Sequence, residues 1–202
     1  MSWVELLAAA LSAWGVWLTA RRRMLSWPVG FAACLIYGWV FLDARLYSDM
    51  LLQLAFAIFI AYGWYLWRQN LGQDARVRVT PLPRRRALVN LGVGALGALC
   101  LGYTMHAWTD AALPWLDSAL TAFSLVAQWW QDRRHTAAWW LWIAVDVVYV
   151  GEYVYKHLLI TSVLYAGFVV LAIIGLRDWR RAAREQQQAP ENPRLLPGEA
   201  QR

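Results

Sequence analysis

Seven long apolar stretches run through this chain, at about 3–20, 26–44, 50–67, 87–105, 115–131, 136–155 and 158–176. Each approaches the roughly 20 residues that an α-helix needs to cross a bilayer core. Irregular backbone facing lipid is excluded there, because no water satisfies its N–H and C=O groups. The rest of the composition agrees. Only 16% of the 202 residues are charged and 60% are hydrophobic, whereas a soluble domain is about a quarter charged. The 15 tryptophans suit membrane interfaces and aromatic pockets. These features predict an all-α integral membrane protein with seven transmembrane helices and the lipid bilayer as its surroundings.

The arginines set the expected orientation. Arg21–Arg23 follow the first stretch, so it does not read as a cleavable signal peptide, whose basic residues come before the apolar run. Arg68, Arg76, Arg78 and Arg84–Arg86 follow the third, Arg133 and Arg134 the fifth, and Arg177, Arg180, Arg181 and Arg184 the seventh. The alternate joints carry only Arg45 and Lys156. By the positive-inside rule the N-terminus lies outside and the C-terminus inside. The net charge of +6 could suggest nucleic acid, but the basic residues lie between apolar segments and form no patch or helical face, so no nucleic-acid partner is expected. Cys34 and Cys100 both lie inside apolar stretches, unlike a disulfide framework or metal pair.

Sliding the chain against itself by 112 residues aligns its two ends without a gap, with 15 identities over the 67 pairs from 2/114 to 68/180. Trp27 meets Trp139, Arg21–Arg22 meet Arg133–Arg134, Tyr37 meets Tyr149, Gly63 meets Gly175, and Trp67–Arg68 meet Trp179–Arg180. Stretches 1–3 (about 2–68) therefore repeat as stretches 5–7 (about 114–180), and the glycine-rich fourth (about 87–105) has no counterpart. A repeat of three crossings needs one extra crossing if both copies are to run the same way. The expected architecture is thus a 3+1+3 parallel repeat, as in SWEET transporters, whose axis lies along the membrane normal. Residues 1–180 form one transmembrane domain in this reading, and the polar, Pro- and Gln-rich 181–202 form a disordered cytoplasmic tail.

One carboxylate lies deep in an apolar stretch. Asp146 interrupts AAWWLWIAVDVVYV at 137–150. Trp139, Trp142, Asp146 and Tyr149 are spaced i, i+3, i+7, i+10 and share one helical face. An ionisable group at membrane depth marks a substrate path by default, and aromatic rings beside a carboxylate suit a flat or cationic organic molecule. The competing reading is structural: Asp146 hydrogen-bonds Gln128 or Gln53 and the tryptophans merely pack. Glu152, about 220° round the helix from Trp139, reads as a solvated rim residue, as do Asp43, Asp49, Asp110 and Asp117. His106, His135 and His157 fall at loop edges without metal-ligand spacing, so no metal or cofactor is expected. The sequence has no P-loop, G-x-S-x-G or H-E-x-x-H motif and so no sign of ATP-driven transport or hydrolysis.

The segments DARLYSDMLLQLAF and YGWYLW within 43–67, LDSALTAFSLVAQWW at 116–130 with Arg133–Arg134, and WWLWIAVDVV at 139–148 resemble the PnuC family of bacterial vitamin transporters, the nicotinamide riboside carriers. The similarity covers residues of about 3–180. It implies a SWEET-like fold in the inner membrane and facilitated diffusion of nicotinamide riboside, an NAD precursor, trapped by a cytoplasmic kinase; a homotrimer is what it suggests. Trp139, Trp142 and Asp146 match the family's binding motif and Gln53 its third-helix glutamine; Tyr149, Tyr37 and Gln128 complete the expected substrate site. Two positions depart from the family pattern. Ala138 and Asp146 stand where Asn is frequent, and both departures are expected to touch the pocket. Relatives carry thiamine, riboflavin or deoxynucleosides, and thiamine is also a flat cation, so it is the nearest alternative substrate. A membrane enzyme would need a clustered acid/base or metal set, which is not found, and a non-transporting sensor would not need the duplicated bundles.

Overall fold

The computed structural model describes residues 3–43, 47–70, 77–109, 113–155, 157 and 159–188, apart from the side chains of 3–5, 41, 47–49, 51 and 160. Seven helices follow in order: α1 (Trp3–Ala20), α2 (Ser26–Asp43), α3 (Tyr47–Arg68), α4 (Arg84–Trp108), α5 (Pro114–Asp132), α6 (Ala137–Tyr155) and α7 (Leu159–Gln188). These coincide with the seven apolar stretches. The main differences lie at polar ends that hydropathy cannot delimit. α4 begins at Arg84 because Pro83, in extended conformation, stands at its N-cap, and proline cannot continue a helix backward. α7 runs to Gln188, past the boundary at 180, because its charged last turns, with Arg181 bonded to Glu185 at 2.8 Å, suit a solvated helix. Arg45, Arg76, Asp110, Lys156, the side chain of Asp49 and the tail beyond Gln188 lie outside the described residues. Among the described residues the one β feature is an isolated bridge between Thr80 and His135.

Three helices, Arg84–Trp108, Ala137–Tyr155 and Thr161–Gln188, are long and apolar enough to cross a membrane, and Leu6–Ala20 and Ser26–Val40 are shorter apolar helices. α2 packs against α1 and α3, α6 packs against α5 and α7, and the two groups meet where α1 touches α7 and α3 touches α5. α4 lies against α5. Its buried residues are Gly94, Ala98 and Gly102, spaced i, i+4, i+8 on one face. A side chain at Gly102 would collide with the Trp115 ring, whose Cε3 lies 2.5 Å from the missing Cβ position. Leu88, Val93, Leu96 and Leu99 on the rest of α4 are exposed.

Four tryptophans hold the centre, and their contacts recur at the 112-residue spacing. Trp27 meets Trp67 edge-on at 5.0 Å and 80°, and Trp139 meets Trp179 at 5.5 Å and 82°. Gly63 makes room for the Trp27 ring, and Gly175 does the same for Trp139. The indole Nε1 of Trp67 donates to the Gln131 carbonyl at 3.3 Å, and that of Trp179 donates to the Thr19 carbonyl at 3.2 Å. Because 19 and 131 are themselves repeat positions, these two bonds interchange when the halves are swapped. The same holds for the turns after α1 and α5, where Arg22 (φ 56°) and Arg134 (φ 65°) adopt the left-handed conformation that closes many helices.

Both turns grip the segment between α3 and α4. Arg22 donates to the Val77 carbonyl at 3.2 Å and Arg134 to the Arg78 carbonyl at 3.4 Å, while Thr80 Oγ1 donates to the Arg133 carbonyl at 2.9 Å. Val77 and Val79 are thereby buried against the tryptophan cluster. His135, beside this joint, lies with Nδ1 3.1 Å from Thr80 Oγ1. Burial above all, opposed by the Thr80 hydrogen bond and aided by Arg133, Arg134 and Arg86, holds its pKa below the ordinary histidine range.

Candidate functional site

Between the two groups of helices lies a cavity of about 720 Å³. All seven residues expected at the site line it: Gln53 and Tyr37 from α3 and α2, Gln128 from α5, and Trp139, Trp142, Asp146 and Tyr149 from α6. The i, i+3, i+7 spacing therefore does aim one face of α6 inward, but the face changes character along its length. Trp139 is 1% exposed, with Gly175 beneath its ring and Trp179 against its edge. It belongs to the lining but is almost wholly covered by its neighbours. Trp142 is only partly buried, and its Nε1 donates to Gln131 Oε1 at 2.9 Å, which fixes the ring plane.

Asp146 is 6% exposed, and no hydrogen bond or ion pair reaches its carboxylate from another described residue. The structural alternative placed Gln128 or Gln53 on it. Gln128 Nε2 instead donates to Asp132 Oδ1 at 2.8 Å. The i, i+4 relation on α5 favours that local partner. Asp132 is fully buried beside Trp27 and Gly63, and its place next to Arg133 hid it among the charged joints. Glu152 corrects a second expectation: it is 5% exposed and buried, not a solvated rim residue. It shares a face of α6 with Ala138 and Val145, which are also buried, and only tertiary packing shows that this face is covered.

Sequence reasoning missed a further part of the wall. Tyr153 and Tyr165 line the cavity beside Tyr149. Tyr149 and Tyr153 are nearly parallel at 5.7 Å, and Tyr165 tilts over both at 4.7 and 5.1 Å. Tyr153 lies i+4 from Tyr149, a signal available in the sequence; Tyr165 is on α7 and only tertiary packing brings it in. Asp146 is the one charged residue among the lining residues described, and no Lys, Arg or His accompanies it. The cavity thus offers aromatic faces, amides and hydroxyls around a single carboxylate.

Residues 2–181 match the family described as nicotinamide mononucleotide transporter. The chain belongs to that family. As a member of the nicotinamide mononucleotide transporter family with several apolar helices, it is a multi-pass membrane protein and a transporter rather than an enzyme. It is 24% identical to the nicotinamide riboside transporter PnuC of Escherichia coli strain K12, across 92% of this chain and 88% of that protein. It is 26% identical to the riboflavin/roseoflavin transporter RibM of Streptomyces davaonensis, across 88% of this chain and 84% of that one. The crystal structure of the vitamin B3 transporter PnuC superposes with a TM-score of 0.75 at 23% identity, covering 91% of this chain and 83% of the other. That likeness shows the fold. Within it, only one of the two departures from the family pattern touches the cavity. Asp146 lines it, whereas Ala138 is fully buried against Val126 and Trp130, away from the lining.

Proposed function

We propose that this protein is a homotrimeric inner-membrane carrier that takes up nicotinamide riboside by facilitated diffusion, with cytoplasmic phosphorylation as the trap. The observation that carries the choice of substrate is the Asp146 carboxylate in an aromatic cavity, with no basic side chain among its described lining residues. A flat pyridinium cation gains from both a carboxylate and ring faces. A phosphorylated nucleotide meets only negative charge there and pays for desolvation without a cationic partner. The riboside is therefore favoured over the mononucleotide of the family's description. Thiamine, also a flat cation, is the second reading on the same observation; neutral riboflavin uses the aromatic wall but not the carboxylate.

The carrier is read as a 3+1+3 parallel repeat with N-terminus out and C-terminus in, and with Trp142, Asp146, Tyr149, Tyr37, Gln53 and Gln128 facing the ligand and the largely covered Trp139 in the lining. Support for the repeat comes from the interchangeable tryptophan contacts and matched arginine turns. The orientation rests on the arginine distribution. The test of substrate is calorimetric titration of the purified protein with nicotinamide riboside, nicotinamide mononucleotide, thiamine and riboflavin in turn. Heat of binding is expected with the riboside and not the mononucleotide. Tighter binding of the mononucleotide or riboflavin than of the riboside contradicts the proposal.

A further inference from the structure

We propose that Tyr153 and Tyr165, with Tyr149 and Asp146, form the subsite that selects a positively charged aromatic ring, and that Tyr153 and Tyr165 are specificity-determining residues for it. This inference rests on the proposed function, in that the ligand is taken to be an N-alkylated aromatic cation. Three observations carry it. Four rings from two helices, Tyr149, Tyr153, Tyr165 and Phe168, form one contiguous wall of the cavity, with Phe168 edge-on to Tyr165 at 5.4 Å. Asp146 stands one turn before Tyr149 on the same face of α6 and lines the same cavity, so a cation against the rings has the carboxylate within reach. Finally, Trp139 is packed away in the core, so the π surface that complements Asp146 comes from the tyrosines and Trp142.

The duplication separates what the fold needs from what the ligand needs. Tyr149 and Phe168 recur in the first half as Tyr37 and Phe56, but Asp146, Tyr153 and Tyr165 correspond to Cys34, Phe41 and Gln53. The same three-helix scaffold is built without the acid and without these two phenol rings, so packing alone does not require them. Their joint appearance in one half, at one wall, is an asymmetry that a ligand with one charged end would exploit. A ring face attracts a cation through its quadrupole and hardly distinguishes a neutral ring of the same size by charge.

The discriminating probes are nicotinamide riboside, a cation, and its reduced dihydro form, which is neutral and nearly the same shape. Affinity for both is measured by calorimetry on wild type, Tyr165→Leu, Tyr153→Leu and Tyr165→Phe, with melting temperature recorded for each. Either Leu variant is expected to weaken the cation by about fivefold or more while leaving the neutral form within about twofold, and Tyr165→Phe to retain the preference because it keeps the π face. Leu variants that leave the cation-to-neutral ratio at the wild-type value, whether both affinities fall together or neither changes, overturn the subsite. Wild-type protein that binds neither form overturns the proposed function itself, and the subsite with it. If Tyr165→Leu does not fold, the Tyr153→Leu ratio decides alone.

Discussion

At the scale of single residues, Asp146 is the position whose chemistry was most legible. A carboxylate in the middle of an apolar helix has few uses, and the structure puts it on a cavity with no hydrogen bond from another described residue. Removing it therefore orphans no partner among the described residues. Asp146→Asn is expected to fold normally and to lose about tenfold or less in affinity for nicotinamide riboside, roughly 1 kcal/mol for a partly hydrated charge contact. Asp146→Leu is expected to melt no lower than wild type yet to lose binding. A Leu variant that is unstable but binds normally would make Asp146 a structural residue. Other residues were not legible, for a physical reason. Helical spacing tells which face a side chain is on but not what covers that face at each depth, so Trp139 read with the stacking rings although Gly175 and Trp179 pack against it and leave it 1% exposed. Asp132 and Glu152 lie near helix ends where sequence implies solvent, and only the closing of neighbouring helices buries them.

At the scale of elements, the glycines of α3 and α7 set how closely the tryptophans approach. The missing Cβ of Gly63 would lie 2.2 Å from the Trp27 ring and 2.6 Å from Asp132 Oδ1, and that of Gly175 would lie 2.6 Å from the Trp139 ring. Gly63→Ala and Gly175→Ala are each expected to cost about 1–3 kcal/mol as overpacking. Gly92→Ala and Gly151→Ala, with nothing within 4 Å, are expected to be neutral or stabilising by up to about 1 kcal/mol through helix propensity. Melting of the four purified variants compares them; Gly63→Ala melting level with Gly92→Ala contradicts the packing. The joint around His135 gives a pH dependence. Burial holds the folded imidazole below its ordinary pKa, so as pH falls through about 6.5 the unfolded chain takes up the proton first and stability drops. His135→Gln is expected to show a shallower loss of melting temperature between about pH 7 and 5; an unchanged slope contradicts the assignment. This joint was hidden in the sequence. Between the arginines, Val77 and Val79 offer only a two-residue apolar alternation, too short to reveal that the segment enters the core.

At the scale of the whole molecule, the order of the helices and their apolar middles were legible because lipid imposes a length on every apolar run, whereas their polar ends were not; the expected repeat rests on the tryptophans, glycines and arginines that recur in both halves. The distribution of arginines predicts that reporter fusions place residue 1 outside and residue 202 in the cytoplasm; both termini on one side would contradict the seven-helix parallel repeat. What the sequence alone left open was the meeting of the halves, since the cavity exists only where α1 meets α7 and α3 meets α5. The central claim, that this cavity carries nicotinamide riboside passively, is tested most directly by flux of labelled riboside into liposomes containing the purified protein. The label is expected to equilibrate to equal concentration on both sides without any ion gradient, at a rate lost in Asp146→Leu. Flux no faster than in empty liposomes, or accumulation above the outside concentration when a proton gradient is imposed, would contradict it.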